Sequence, residues 1–147
     1  MAGKPRPEDV QALFRLLRIV FVAMLVSVAC YWLVLEVFST SLPVRLPGPE
    51  KTVLSLVALG LALLVLYLRF NRIGELIAPT LPAQFAERVQ KLRTYYLGSY
   101  VLSETIALLG LILKVFGATR LQAAPFFVVA VALLFLCYPR LPEDIRG

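Results

Sequence analysis

The chain of 147 residues is 60% hydrophobic and only 16% charged, which is too apolar for a soluble domain of this length. Its net charge of +6 would suit a nucleic-acid-binding protein only if a soluble basic module carried it, and the sequence has none. The absence of histidine excludes bis-histidine haem ligation, imidazole-based catalysis and histidine metal sites. We therefore expect no cofactor, no metal and no nucleic-acid partner.

Four stretches of 16 to 18 residues carry no charge apart from Glu104; they cover residues 19–35, 53–68, 97–113 and 121–138. A helix of about 17 residues spans roughly 26 Å, and its flanking turns complete the ~30 Å hydrocarbon layer of a bilayer. Helices satisfy their own backbone polar groups, which lipid does not. The sequence predicts an all-α integral membrane protein, a four-helix bundle in one domain (1–147), with helices over about 8–38, 52–70, 82–116 and 123–138.

The first predicted helix begins in an amphipathic segment, where Arg15 and Arg18 are spaced to reach lipid phosphates. Tyr31 and Trp32 lie toward its other end, as is typical of aromatic residues at a membrane interface. A proline-rich loop then leads to the second helix. Gly60 lies near the centre of that helix, where a neighbouring helix could approach closely.

Apolar residues recur at helical spacing before the third uncharged stretch, and the opposite side of this segment is charged. This pattern predicts a cytoplasmic amphipathic extension of the third helix, with Arg88 and Lys91 contacting lipid phosphates. Its function is open between anchoring on acidic lipids and docking of a partner protein. The apolar residues are Phe85, Val89, Leu92 and Tyr96.

The distribution of basic residues predicts the topology. Eleven of the 15 Lys and Arg residues lie in the two terminal segments and the middle segment, and four lie in the other two connections. The positive-inside rule then places both termini in the cytoplasm. We expect a multi-pass protein of the cell (inner) membrane.

Small residues recur on one face of the third helix at spacings of three and four. In membranes such a face lets two helix backbones approach closely. We therefore expect Ser99, Ala107 and Gly110 to mediate helix packing, together with Gly60 on the second helix.

Glu104 lies near the middle of the third uncharged stretch, 97–113, at the edge of this face. Ionisable residues at mid-membrane depth are costly and often mark an ion path, a proton relay or a buried partner. We expect it to form an ion or proton site with Tyr100, Ser103 and Ser27, and Tyr100 and Ser27 are the expected hydrogen-bond partners of its carboxyl group. The alternative is that the carboxyl only links helices.

The segment from Ser103 to Ile112, with Glu104 beside small polar residues and followed by Ala107-Leu108 and Gly110-Leu111, resembles the carboxylate-bearing helix of rotary-ATPase proteolipid (c) subunits. In that family the acidic residue carries the transported proton or sodium ion, so the resemblance implies the same for Glu104. The chain as a whole is similar to uncharacterised small four-helix inner-membrane proteins of bacteria, a similarity that implies no activity.

These observations favour a non-enzymatic integral membrane protein, a structural or accessory subunit of a membrane complex. Its expected partners are the lipid bilayer and other membrane subunits, or further copies of itself. The alternative is a protein that translocates protons or cations through Glu104.

Overall fold

The computed structural model describes residues 7–37, 48–73 and 85–139, and this part of the chain contains only helices and short connections. The four helices are α1 (Pro7–Val37), α2 (Gly48–Tyr67), α3 (Phe85–Val115) and α4 (Arg120–Leu136), and α2 continues into a π-helical segment, Leu68–Ile73. The predicted all-α four-helix fold is confirmed.

The α3–α4 turn shows how local sequence sets helix ends. Gly117 has a φ of 86°, and the amides of Gly117 and Ala118 donate to Lys114 O and Leu113 O, which satisfies carbonyls at the end of α3. Thr119 then caps α4: its hydroxyl accepts from the Gln122 amide, while the Gln122 side chain accepts from the Thr119 amide. This reciprocal cap starts α4 at Arg120, before the predicted start at residue 123.

Helix α3 is central to the bundle. It packs against all three other helices and most extensively against α4, whereas α1 and α2 make little contact with each other. The α3–α4 pair therefore separates α1 from α2, although these two follow one another in the chain.

Contacts at the helix ends fix the directions of the helices. Arg120, at the start of α4, pairs with Glu36 at the end of α1 at 3.1 Å. Arg69, at the end of α2, donates from Nε to Leu136 O at the end of α4, at 3.0 Å. Helices α1 and α3 therefore begin at the same end of the molecule, where α2 and α4 finish.

We call this end the basic end. It carries several exposed or half-exposed cations. The acidic residues in the described part of this end are Glu8 and Asp9, in the first turn of α1, and Glu87, in the first turn of α3. A hydrogen bond from Lys91 at 2.7 Å, together with its charge, lowers the pKa of Glu87 below the ordinary value. The basic residues are Arg15, Arg18, Arg69, Arg72, Lys91 and Arg93.

The outside of the bundle is apolar along most of its length. Side chains such as Ile19 and Leu56 are 61% exposed, although both lie in the middle of apolar helices. Three stretches, Gln11–Val37, Gly48–Ile73 and Val89–Val115, are long and apolar enough to cross a bilayer, and α4 is a shorter apolar helix. The exposed apolar surface fits a membrane protein, because a soluble monomer rarely exposes so large an apolar area.

The predicted amphipathic segment is part of α3, which runs unbroken from Phe85 to Val115. Leu92 and Tyr96 on its apolar side are buried, and α3 packs here against the π-helical segment at the end of α2. The apolar side of this segment therefore belongs to the bundle interior. The side chain of Phe85 lies outside the described set.

Candidate functional site

Glu104 lies near the middle of the apolar stretch Val89–Val115 of α3, and its side chain is half-buried. Ser27 Oγ donates to Glu104 Oε1 at 2.6 Å, and the Tyr31 hydroxyl donates to the same oxygen at 2.8 Å. We call these three residues the Glu104 cluster. Their hydrogen bonds join α1 to α3 inside the apolar layer.

The two donors are one helical turn apart on α1, so both hydroxyls face the same side of that helix. No other hydrogen bond or ion pair to Glu104 is found among the described residues, so Oε2 has no protein partner there. The carboxyl group therefore has one oxygen that accepts two hydrogen bonds and one oxygen that is available to a further group.

Ser27 is the partner of Glu104 that the sequence predicted, whereas Tyr31 was missed. We had placed Tyr31 among the interfacial aromatic residues because it lies near the end of α1 and next to Trp32. The sequence feature that could have predicted Tyr31 is its spacing of four residues from Ser27, which puts the two hydroxyls on one face of the helix.

Tyr100 does not bind the carboxyl group, contrary to our expectation, and Ser103, the other residue of the expected site, does not bind it either. The Tyr100 hydroxyl donates to Cys137 O at 3.2 Å, and Ser103 Oγ donates to Ser99 O at 2.8 Å. Long side chains on a helix point toward its N-terminus, so Tyr100 extends away from Glu104. Serine commonly bonds back to the carbonyl four residues earlier, which occupies Ser103.

The small-residue face of α3 is buried, and at Gly110 it makes a close contact with α4. A Cβ atom added to Gly110 would lie 2.7 Å from Phe126 Cβ and 3.0 Å from Phe127 Cε2. Ser99 and Ala107 are fully buried on the same side of α3. Glycine at position 110 thus allows α3 and α4 to approach more closely than any side chain would.

Gly60 does not fulfil the packing function that we expected of it. It is exposed, and a Cβ atom added there would meet nothing within 4 Å. Successive helical residues are about 100° apart, so Gly60 lies about 200° around α2 from the buried Ala58. The glycine at the centre of α2 therefore faces outward.

The predicted lipid-phosphate residues lie at the basic end. Arg15, Arg18 and Lys91 are exposed there, and the side chain of Arg88 lies outside the described set. Arg69 differs from them, because its hydrogen bond to Leu136 O caps the end of α4.

Cys30 is exposed on α1 and Cys137 is buried, and neither forms a disulfide. Within residues 7–37, 48–73 and 85–139, no group of three metal-ligating side chains is present. An apolar groove of about 870 Å³ lies between α1 and α4, and Trp32 and Phe127 meet edge to face at its wall. The groove is lined almost entirely by apolar atoms, so it suits a hydrocarbon chain or an apolar helix better than a polar ligand.

In comparisons with known proteins, no family model matches this chain, and neither a curated protein nor a solved structure shows significant similarity to it. The class of the protein is therefore defined by its own structure: an all-helical four-helix bundle with an apolar exterior, which fits a membrane protein.

Proposed function

We propose that this is a non-enzymatic integral membrane protein, a structural or accessory component of a membrane assembly. The observation that carries the proposal is the Glu104 cluster. Its carboxyl group accepts hydrogen bonds between two helices, which is what a linking function requires. Polar contacts of this kind contribute only about 0.6 kcal/mol on average in membranes, so their main effect is to fix how α1 sits against α3.

The proposed topology has four membrane passes in the cell (inner) membrane, with both termini in the cytoplasm. The 17 residues of α4 span roughly 26 Å, enough to cross with the adjoining turn residues. The excess of exposed arginine and lysine at the basic end supports a cytoplasmic location for that end.

Labelling of single cysteines in a Cys30→Ser/Cys137→Ser background tests this topology. A membrane-impermeant maleimide applied to intact cells is expected to label Leu121→Cys, which is 86% exposed at the opposite end. Asn71→Cys, at the basic end, should be labelled only after permeabilisation. The reverse pattern would show that the protein has the opposite orientation in the membrane. Labelling of both positions from outside would show that the two ends of the bundle lie on the same side of the membrane.

The proposed function is tested by gentle solubilisation from the native membrane, followed by native electrophoresis and mass spectrometry. We expect the 16.3 kDa chain to migrate within a larger assembly, with further polypeptides or further copies. Migration as a lone monomer, in mild detergent and in polymer nanodiscs alike, would contradict an accessory function.

The second candidate function is translocation of a proton or cation by Glu104. The free Oε2 atom favours it, because an oxygen without a donor in an apolar layer can bind a proton or, with nearby hydroxyl oxygens, a small cation. In reconstituted vesicles, this function requires a flux that Glu104→Gln abolishes. Glu36→Gln, at an exposed carboxylate, is the matched control. Equal fluxes from wild-type and Glu104→Gln vesicles would rule this function out.

A further inference from the structure

The apolar groove between α1 and α4 runs along only part of the two helices. Its α1 wall extends from Leu25 to Leu33, a rise of roughly 12 Å along the helix axis. One turn before Leu25, Phe21 contacts Phe135 and Tyr138 edge to face, with ring centroids 5.7 and 5.2 Å apart. These aromatic side chains join the two sides of the groove, so it is closed toward the basic end.

The other end of the groove carries an ion pair. Glu36 lies three residues after Leu33 and four after Trp32, so it continues the groove wall on α1. Arg120 lies seven residues, about two turns, before Phe127, so it continues the wall on α4. The two side chains pair at 3.1 Å, and those of Glu36 and Arg120 are 39% and 60% exposed. The apolar groove therefore ends at two accessible charges of opposite sign.

The length of the groove favours an acyl chain over a partner helix. A lipid chain reaches from the headgroup to the middle of the bilayer, about 15 Å, which matches a groove of this length with an ion pair at its end. A membrane-spanning helix needs a contact surface of about 30 Å. The contact of Phe21 with Phe135 and Tyr138 interrupts the groove before that length is reached.

The ion pair indicates which headgroup fits. The Arg120 guanidinium has five N–H donors, more than its contact with Glu36 uses, so it can also donate to a phosphate. Arg120 is the first residue of α4, and the N-terminus of a helix favours an anion. The Glu36 carboxylate can in turn accept from an ammonium group. A headgroup with one phosphate and one primary ammonium complements both charges, whereas an anionic headgroup complements only Arg120.

We propose that the α1–α4 groove is a binding site for a phospholipid with a phosphate and a primary ammonium in its headgroup, as in phosphatidylethanolamine. An acyl chain lies in the groove beside Trp32, the phosphate contacts Arg120 and the ammonium contacts Glu36. This site is at the opposite end of the molecule from the basic end, and its ligand is zwitterionic. The inference goes beyond the proposed function, because it assigns a lipid to this groove whether the protein is an accessory component or moves an ion.

Trp32 provides the reporter for the test, because it lines the groove and is the only tryptophan of the chain. The full chain is reconstituted in phosphatidylcholine vesicles, and phosphatidylethanolamine with brominated acyl chains, which quench tryptophan fluorescence, is added in increasing proportion. Brominated phosphatidylcholine and phosphatidylglycerol with the same chains are the comparison lipids.

We expect the binding constant of phosphatidylethanolamine, relative to phosphatidylcholine, to be about three- to ten-fold higher, the effect of one or two charged contacts near the membrane surface. The quaternary ammonium of phosphatidylcholine has no N–H to donate to Glu36, and phosphatidylglycerol has no ammonium. Quenching by either comparison lipid that equals quenching by phosphatidylethanolamine would overturn the inference.

Two double variants that leave the net charge unchanged test the headgroup contacts. Glu36→Gln/Arg120→Gln removes both contacts, and we expect it to abolish the preference for phosphatidylethanolamine. Glu50→Gln/Lys51→Gln removes the same two charges at the same end of the molecule, but on α2, which makes little contact with α1. We expect this control to keep the wild-type preference. The same preference in both double variants would overturn the inference.

A second pair of variants tests the groove itself and keeps Trp32 as the only reporter. Ala29→Phe fills the groove, and we expect it to lose the preference for phosphatidylethanolamine. Ala23→Phe places the same bulk about 120° away around α1, at an exposed position that does not line the groove, and should keep the preference. Equal preferences in these two variants would overturn the inference. A polypeptide or second copy that co-purifies with wild type and is lost only in Ala29→Phe would show that the groove holds a helix, and would also overturn it.

Discussion

At the residue scale, the hydroxyl groups of Ser27 and Tyr31 define the environment of Glu104. We expect Ser27→Ala and Tyr31→Phe each to lower the free energy of unfolding by about 0.5–1.5 kcal/mol, because each removes one hydrogen bond to Oε1. The measurement is reversible unfolding in mixed micelles. The control is Thr105→Val, which loses only a hydrogen bond to Val101 O in its own helix. A double-mutant cycle with Glu104→Gln that gave no coupling would contradict the hydrogen bonds.

Two glycines form a matched pair of tests at the same scale. Gly110→Ala should destabilise the bundle by about 1–3 kcal/mol, because the new Cβ would overlap Phe126 Cβ and separate α3 from α4. Gly60→Ala should be neutral, or stabilising by up to about 1 kcal/mol, because its surroundings are open and alanine is the better helix former. Thermal unfolding of both variants decides this, and equal shifts would contradict the close contact at Gly110.

The residue scale is also where the sequence was least informative. The uncharged stretch 97–113 predicted that Glu104 lies near the middle of an apolar helix. The spacing of small residues predicted which side of α3 faces the interior of the bundle. The spacing on α2 could not show that Gly60 faces outward, because α2 is apolar all round and has no polar side to mark the exposed face. The hydroxyl groups that bind Glu104 are set by the direction of each side chain and by which helices are neighbours. The amino-acid sequence by itself specifies neither of these.

At the element scale, α4 depends on contacts from other helices at its end. Arg69 and the Tyr100 hydroxyl bind the carbonyls of Leu136 and Cys137, which no helical amide satisfies. Arg69 belongs to the π-helical segment Leu68–Ile73, which continues α2. The backbone of that segment therefore positions the guanidinium group at the end of α4. The end of α4 is thus held by α2 and α3 together.

We expect Arg69→Met to fray the last turn of α4, because it keeps most of the apolar stem and removes the donor to Leu136 O. Hydrogen exchange of the Cys137 and Tyr138 amides should become several-fold faster, as their bonds to Leu133 O and Phe135 O open more often. Arg72→Met, at an exposed arginine of the same segment, is the control. Unchanged exchange in Arg69→Met would show that the guanidinium does not stabilise this end.

The end of a helix can be predicted from sequence where a residue at that position determines it by its own backbone conformation. The predicted end of the third helix, at residue 116, lies next to Gly117, whose backbone conformation ends α3. The start of α4 was misplaced because Thr119 and Gln122 form a reciprocal cap that extends the helix beyond its uncharged stretch. Hydropathy therefore predicts which residues can lie in a lipid layer, but it does not predict the residue at which the helix begins.

At the scale of the whole molecule, the basic end should bind anionic lipid. We expect the double variant Arg15→Gln/Arg18→Gln to retain less phosphatidylglycerol than wild type in native mass spectrometry, since each exposed cation contributes about 1 kcal/mol near an anionic surface. The control is Lys51→Gln/Lys114→Gln, at the opposite end, and we expect wild-type retention. Equal retention in both double variants would show that the basic end does not recognise headgroup charge.

The separation of α1 from α2 has a consequence for how the protein is made. Because synthesis proceeds from the N-terminus, α1 and α2 leave the ribosome before α3 and α4, yet they make little contact with each other. What joins them is the α3–α4 pair, which is translated later. Until Glu104 is inserted, the hydroxyls of Ser27 and Tyr31 lack the acceptor that they bind in the finished bundle. We therefore expect α1 and α2 to remain two separate helices until α3 and α4 have been translated, and the fold to be completed only then.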